Sequence, residues 1–182
     1  MKKMFTIITL LAALLVTNMA DAKFSDEYKA RYPRRVKVET KLEASGKKTT
    51  NTTYTLFKHT LINGCPLRLI VRDIGGIKIC SMSYGDTTNY PADYAAFSWG
   101  DGEYGHDLKT FLSFTDRVGR ERYSHFITTQ PSGQDLERMK DAVVLSVSGG
   151  GSISTPILDT SHKKWKEWQE AIEAAAELMN ER

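Results

Sequence analysis

Hydrophobic side chains recur along this chain with two different periods. Between Val36 and Thr129 they tend to alternate: Val36, Val38 and Leu42 are interleaved with Lys37, Glu39 and Lys41, and Leu67, Leu69 and Val71 with Arg68 and Arg72. A period of two turns one face of a segment to a core and the other to water, as in antiparallel strands. Towards the end the period changes. Trp165, Trp168, Ile172, Ala175 and Met179 follow one another at spacings of 3, 4, 3 and 4, which predicts a helix over about 161–180 with one apolar stripe.

Taken in order, Phe24 to Tyr32 reads as a short helix closed by Pro33, because the residue before a proline is pushed out of the helical region. Val36 to Leu42 and Thr49 to Ile62 read as a hairpin around the Ala44–Lys48 turn, followed by strands after Pro66 and over Ile77–Ser83 and Tyr94–Trp99. Leu108–Thr115 and Arg122–Thr129 read as two more strands about a turn at Asp116–Arg120. Ser132 and Asp135 form a capping box opening a helix to about Lys140, and the apolar run Ala142–Val147 reads as a central strand. The expected class is α+β: a mainly antiparallel twisted sheet or small sandwich of about seven strands, covered by one long C-terminal helix. That helix carries Lys163, Lys164 and Lys166 at its positive end and Glu173, Glu177 and Glu181 at its negative end, so its charges oppose the macrodipole and it must gain stability by docking.

The stretch Cys65–Cys80 holds both cysteines and a Gly75-Gly76 pair between two alternating segments. A two-residue type I′ turn at the glycines would put Cys80 opposite Val71 and leave Cys65 roughly 20 Å away at ~3.3 Å per residue. A disulfide needs Cα atoms within about 7 Å. The tight hairpin and a Cys65–Cys80 bridge therefore exclude each other, and a bridge would centre the reversal near Arg72-Asp73. The N-terminus favours the bridge. Lys2-Lys3, an apolar run from Phe5 to Val16, and Ala20-Asp21-Ala22 are laid out as a cleaved secretory leader over 1–22. The run is shorter than the ~20 residues that span a bilayer. The expected mature chain, 23–182, is one β-rich domain without a transmembrane segment, periplasmic or secreted, in a compartment where two cysteines pair. A loop of that length contributes roughly 3 kcal/mol.

Charge changes the picture locally more than globally. The 182 residues carry 25 basic and 22 acidic side chains. Residues 23–78 hold thirteen basic against five acidic groups, whereas Ile79–Asp107 holds five acids and no lysine or arginine. The basic run Arg31, Arg34, Arg35, Lys37, Lys41, Lys47, Lys48 fits a solvated β face better than an anion patch, because it is spread over a strand and a turn with no interleaved aromatic platform. No nucleic-acid partner is expected.

The acidic stretch is also rich in aromatic rings and glycines. Tyr84, Asp86, Tyr90, Tyr94, Trp99, Asp101, Glu103, Tyr104 and His106 make it the candidate binding surface, since rings with polar tips beside carboxylates suit a sugar face, a cation or a basic protein. Known site patterns are missing. Asp101, Glu103 and Asp107 miss the EF-hand spacing, His106 and His125 belong to no HExxH, Ser148–Ser152 lacks the Walker lysine, and no G-x-S-x-G elbow occurs. No metal, cofactor or catalytic residue is therefore expected. The reading is a non-catalytic binding or interaction module with a protein or glycan partner in the cell envelope. The alternative is a cell-wall or sugar hydrolase using Asp101, Glu103, His106, Asp107 or His125 as acid and base.

Overall fold

A computed structural model describes residues 23–61, 66–88, 94–149 and 154–181. Among these residues the chain forms ten strands in two antiparallel sheets. The larger is built from β1 (Val36–Leu42), β2 (Lys48–Thr60), β3 (Pro66–Ile74), β4 (Ile77–Thr88), β7 (Thr110–Gly119) and β8 (Arg122–Thr129), in the order β1-β2-β3-β4-β8-β7. The smaller is built from β5 (Tyr94–Gly100), β6 (Gly105–Leu108), β9 (Val144–Gly149) and β10 (Ser154–Asp159), in the order β10-β9-β5-β6. Helix α1 (Phe24–Arg31) and a 3₁₀ turn (Pro33–Arg35) precede β1, α2 (Gly133–Met139) follows β8, and α3 (Trp165–Asn180) ends the fold. The architecture is the α+β arrangement that the two periods predict.

The alternation decides which face of the large sheet is covered. Leu67, Leu69 and Val71 of β3 are fully buried, with Cys80, Met82 and Tyr84 of β4 opposite them, while Arg68 and Arg72 are exposed on the other face. Helix α3 docks on β2, β3 and β4, and β5 of the small sheet packs against β7 and β8. Trp168 meets Phe57 edge-on, with ring centroids 5.2 Å apart. Each large apolar side chain so enclosed contributes about 1.5–3 kcal/mol, and this docking offsets the adverse charge order along α3.

The Gly75-Gly76 pair forms the tight turn. Ile74 faces Ile77, Asp73 faces Lys78 and Val71 faces Cys80. Both glycines have positive φ, 60° and 92°, and the Gly76 N–H donates to Asp73 Oδ1 at 2.8 Å. The register is that of the tight hairpin and not the one centred near Arg72-Asp73 that a bridge would impose. Cys65, the other half of the expected bridge, lies outside the described residues; Cys80, opposite Val71, is a buried free thiol.

Four other expectations shift. β1 forms, but Val38 and Leu42 are 57 % and 70 % exposed, so its alternation marks an overhanging edge strand and not a half-buried one. β4 runs on to Thr88 because β8 pairs with it from Met82 onwards, taking Tyr84 and Asp86 out of the expected loop. α3 starts at Trp165, after a turn in which Asp159 Oδ1 accepts from the Ser161 backbone and hydroxyl. β6 and β10 escape the pattern: β6 is only Gly-His-Asp-Leu, and β10 contains Pro156, which an edge strand with a register shift tolerates.

Candidate functional site

The acidic, aromatic stretch is divided between the two sheets. Tyr84 is nearly buried on the inner face of β4, its hydroxyl 3.3 Å from Asp86 Oδ2, and in register Tyr84 faces Ile127 and Asp86 faces His125. Tyr90 lies outside the described residues, and Tyr94 heads β5. The remaining candidates, Trp99, Asp101, Glu103, Tyr104 and His106, converge at the tip of the β5–β6 hairpin.

That tip is built from a four-residue reversal. Trp99 pairs with His106 and Gly100 with Gly105, leaving Asp101–Tyr104 to turn the chain, with Gly102 at φ 98°. Asp101 closes the turn by accepting the Glu103 and Tyr104 backbone N–H groups on Oδ1, at 2.9 and 2.7 Å. Its other oxygen lies 3.2 Å from His106 Nε2. The N–H groups of Tyr104 and Glu103, and then His106, hold the Asp101 carboxyl down at about 2.

His106 is engaged on every side. Its ring stacks on Trp99 at 4.2 Å and 29°, and its Nδ1 lies 3.2 Å from a terminal guanidinium nitrogen of Arg138 in α2. A guanidinium only donates, so Nδ1 accepts and Nε2 carries the proton given to Asp101. Arg138 also lies over the Trp99 ring, 6.0 Å from its centroid. Helix α2 that carries Arg138 starts in a complete capping box, Ser132 with Asp135. The result is a chain Asp101–His106–Arg138 laid across buried Trp99, from which Tyr104 stands out, 63 % exposed, next to exposed Glu103.

Of the groups named as acid and base, Asp101 and His106 touch. Asp107 follows His106 in β6, opposite Ser98, and so points to the other face. His125 is buried in the large sheet, its Nδ1 3.0 Å from the Thr115 hydroxyl. Among the described residues no three His, Cys, Asp or Glu side chains group so as to hold a metal ion. No described helix is long and apolar enough to cross a membrane.

Two features were not legible from the sequence. Arg138 carries no local signal, because its role arises only when α2 meets the small sheet. The other is a cleft of about 570 Å³ between α1 and α3. The helices run in opposite directions and are tied at both ends, by the Ser25 N–H to Glu181 (3.0 Å) and by Arg35 to Glu167 (3.1 Å). Phe24, Tyr28 and Tyr32 line one wall and Ala171 and Ala174 the other; large rings facing alanines leave the gap. Comparisons of the chain with protein-family models, with curated proteins and with solved structures found no match.

Proposed function

We propose that this chain is an exported, non-catalytic binding module that engages a protein or glycan partner of the cell envelope through the β5–β6 tip. The observation that carries the reading is the engagement of both ring nitrogens of His106, by Asp101 and by Arg138. An imidazole that already donates from one nitrogen and accepts at the other has no lone pair left for a substrate proton, which favours binding over the hydrolase alternative. What the clamp does provide is a fixed platform. It holds an exposed tyrosine beside carboxylates, a combination that pairs an apolar ring face with charge for a basic group on the partner. Export is supported by the leader-like order of Lys2-Lys3, the Phe5–Val16 run and Ala20-Asp21-Ala22.

The test is cross-linking in the native envelope from a photoreactive group placed at Glu103. The expected result is one dominant adduct that is lost in Tyr104→Ala and reproduced when the tagged partner is used as bait. Adducts that are diffuse and indifferent to Tyr104→Ala would sink the reading. Release of sugar or peptide fragments from wall material, abolished by His106→Ala, would establish the hydrolase in its place.

A further inference from the structure

One end of the large sheet departs from the rule that an uncovered strand surface is polar. The β1–β2 hairpin runs past the β3–β4 turn. Glu39, Asn51, Ile74 and Ile77 share the last rung that spans four strands, and Leu42 stands three residues further out, roughly 10 Å at ~3.3 Å per residue. Val38 and Leu42 lie on the face that carries the core, Ile74 and Ile77 on the opposite one. No described element covers either pair at this end: Ile74 and Ile77 are 40 % and 69 % exposed, and Val38 and Leu42 are more than half exposed. The same strands are basic. Residues 36–74 hold seven lysine and arginine side chains against three acids, and each acid is already engaged: Glu39 by Lys37, Glu43 by the Ser45 and Thr49 hydroxyls, Asp73 by the Gly76 N–H. Lys41, Lys47, Lys48, Arg68 and Arg72 are exposed and form no salt bridge among the described residues. The N-terminal segment also reaches the fold here. The Ser25 N–H, in the first turn of α1, donates to Glu181, and Glu181 accepts from Lys78, the neighbour of Ile77. The chain before Lys23, with Lys2-Lys3 and the apolar run Phe5–Val16, therefore joins the molecule beside the exposed isoleucines.

We propose that this end of the protein docks on the surface of an anionic lipid bilayer. Lys37, Lys41, Lys47 and Lys48 are expected from sequence to form a solvated face; the four exposed aliphatic side chains beside them are what water alone does not account for. Apolar chains that enter the boundary between headgroups and acyl chains add to the attraction of lysine and arginine for anionic headgroups, and the two together hold a protein at a membrane where either alone binds marginally. An acidic protein would answer the charge but not the shape. The aliphatic chains project from both faces of a sheet end, so they make no single patch for a folded partner to cover. A fluid bilayer admits side chains pointing either way, with the cations behind them at headgroup level. A leader joined at Lys23 would deliver this same end to the bilayer during export. The surface belongs to the large sheet and does not depend on the reading given for the β5–β6 tip; export enters only through the leader.

The test is sedimentation of the processed protein with phosphatidylcholine vesicles, with and without phosphatidylglycerol. Binding should require phosphatidylglycerol and weaken as salt rises. A Leu42→Ser, Ile77→Ser variant should bind roughly tenfold more weakly, and a Lys47→Ala, Lys48→Ala variant should lose about fivefold per charge at low salt. All four positions are exposed, so melting temperatures close to wild type should show that the fold is intact. A Phe111→Ser, Leu112→Ser variant removes two exposed apolar side chains from the edge strand β7 and should bind as wild type does. A leader left in place would contribute equally to every variant, so the ranking reports on the sheet end itself. Absence of binding that depends on phosphatidylglycerol, or an equal loss in the β7 variant, would overturn the proposal. So would a loss in Lys47→Ala, Lys48→Ala with none in Leu42→Ser, Ile77→Ser, which would make the occupant an acidic macromolecule instead of a bilayer.

Discussion

Lys78 and Glu181 tie the Gly-Gly hairpin to the last turn of the C-terminal helix: Lys78 Nζ lies 2.9 Å from Glu181 Oε2 and 2.8 Å from its backbone carbonyl, with both side chains largely buried. Glu181 Oε1 accepts from the Ser25 backbone N–H, so three distant parts of the chain meet at one carboxylate. Burial alone would raise that carboxyl; hydrogen bonds from Lys78 and Ser25 outweigh it and hold the group below its ordinary 4.5. A depressed carboxyl stabilises the fold fully above its unfolded value and loses that contribution as pH falls through the folded value. Lys78→Met should therefore cost about 2 kcal/mol at pH 7 and distinctly less at pH 3. Urea unfolding of both proteins at the two pH values measures this; an equal loss at both would mean that Lys78 acts through packing alone.

The two thiols should be free. Burial pushes the Cys80 thiol up to about 12, so it is neither ionised nor accessible in the folded protein. Cys80 should resist a thiol reagent in buffer and react in denaturant, where two equivalents are taken up. A reductant should leave the melting temperature unchanged. A fall of several degrees on reduction would mean that a bridge exists and that the β3–β4 register is wrong.

The hairpin can be tested from the backbone side as well. Gly76→Ala meets nothing within 4 Å, yet φ is 92°, a left-handed conformation that costs a side-chain residue about 1–2 kcal/mol. Gly75→Ala adds a 3.3 Å approach to Thr49 Cγ2 on the neighbouring strand. Gly105→Ala is the matched control, since it has open space and no positive φ. Thermal melts should rank the three as Gly75→Ala lowest, Gly76→Ala next and Gly105→Ala close to wild type. Equal melting temperatures would reject the type I′ turn.

How much of this was readable from the sequence follows from the range of each interaction. The α3 stripe, the β3 alternation and the Ser132–Asp135 capping box are set by residues close in sequence, and each forms as the pattern says. The turn centred near Arg72-Asp73, expected from compartment, does not form, because the local chemistry of two adjacent glycines specifies the reversal at Gly75-Gly76. Tyr84 and Asp86 looked like loop residues because their composition is polar and aromatic; pairing with β8, about forty positions away, extends the strand through them. The tip was half legible. Asp101, Tyr104 and His106 are neighbours in sequence, but the Arg138 guanidinium that fixes the imidazole comes from another element.

The tip itself offers a local readout that does not depend on finding a partner. Asp101 Oδ1 holds the Glu103 and Tyr104 amides, and these two N–H groups are the main reason its carboxyl sits near 2 instead of 3.8. The bonds should therefore persist as pH falls past 3.8 and fail only as it falls through about 2. In an NMR titration, the Glu103 and Tyr104 amide shifts should move together with a midpoint near 2. Asp101→Asn retains an acceptor oxygen but loses the charge, so the same amides should stay bonded without titrating. Arg138→Ala should leave that titration nearly in place, because the guanidinium contacts His106 Nδ1 and not the carboxylate, while loosening the His106 ring on Trp99 and altering the indole fluorescence. A midpoint near 4 would mean that the Asp101 turn opens in solution, and Tyr104 would then have no fixed platform from which to bind.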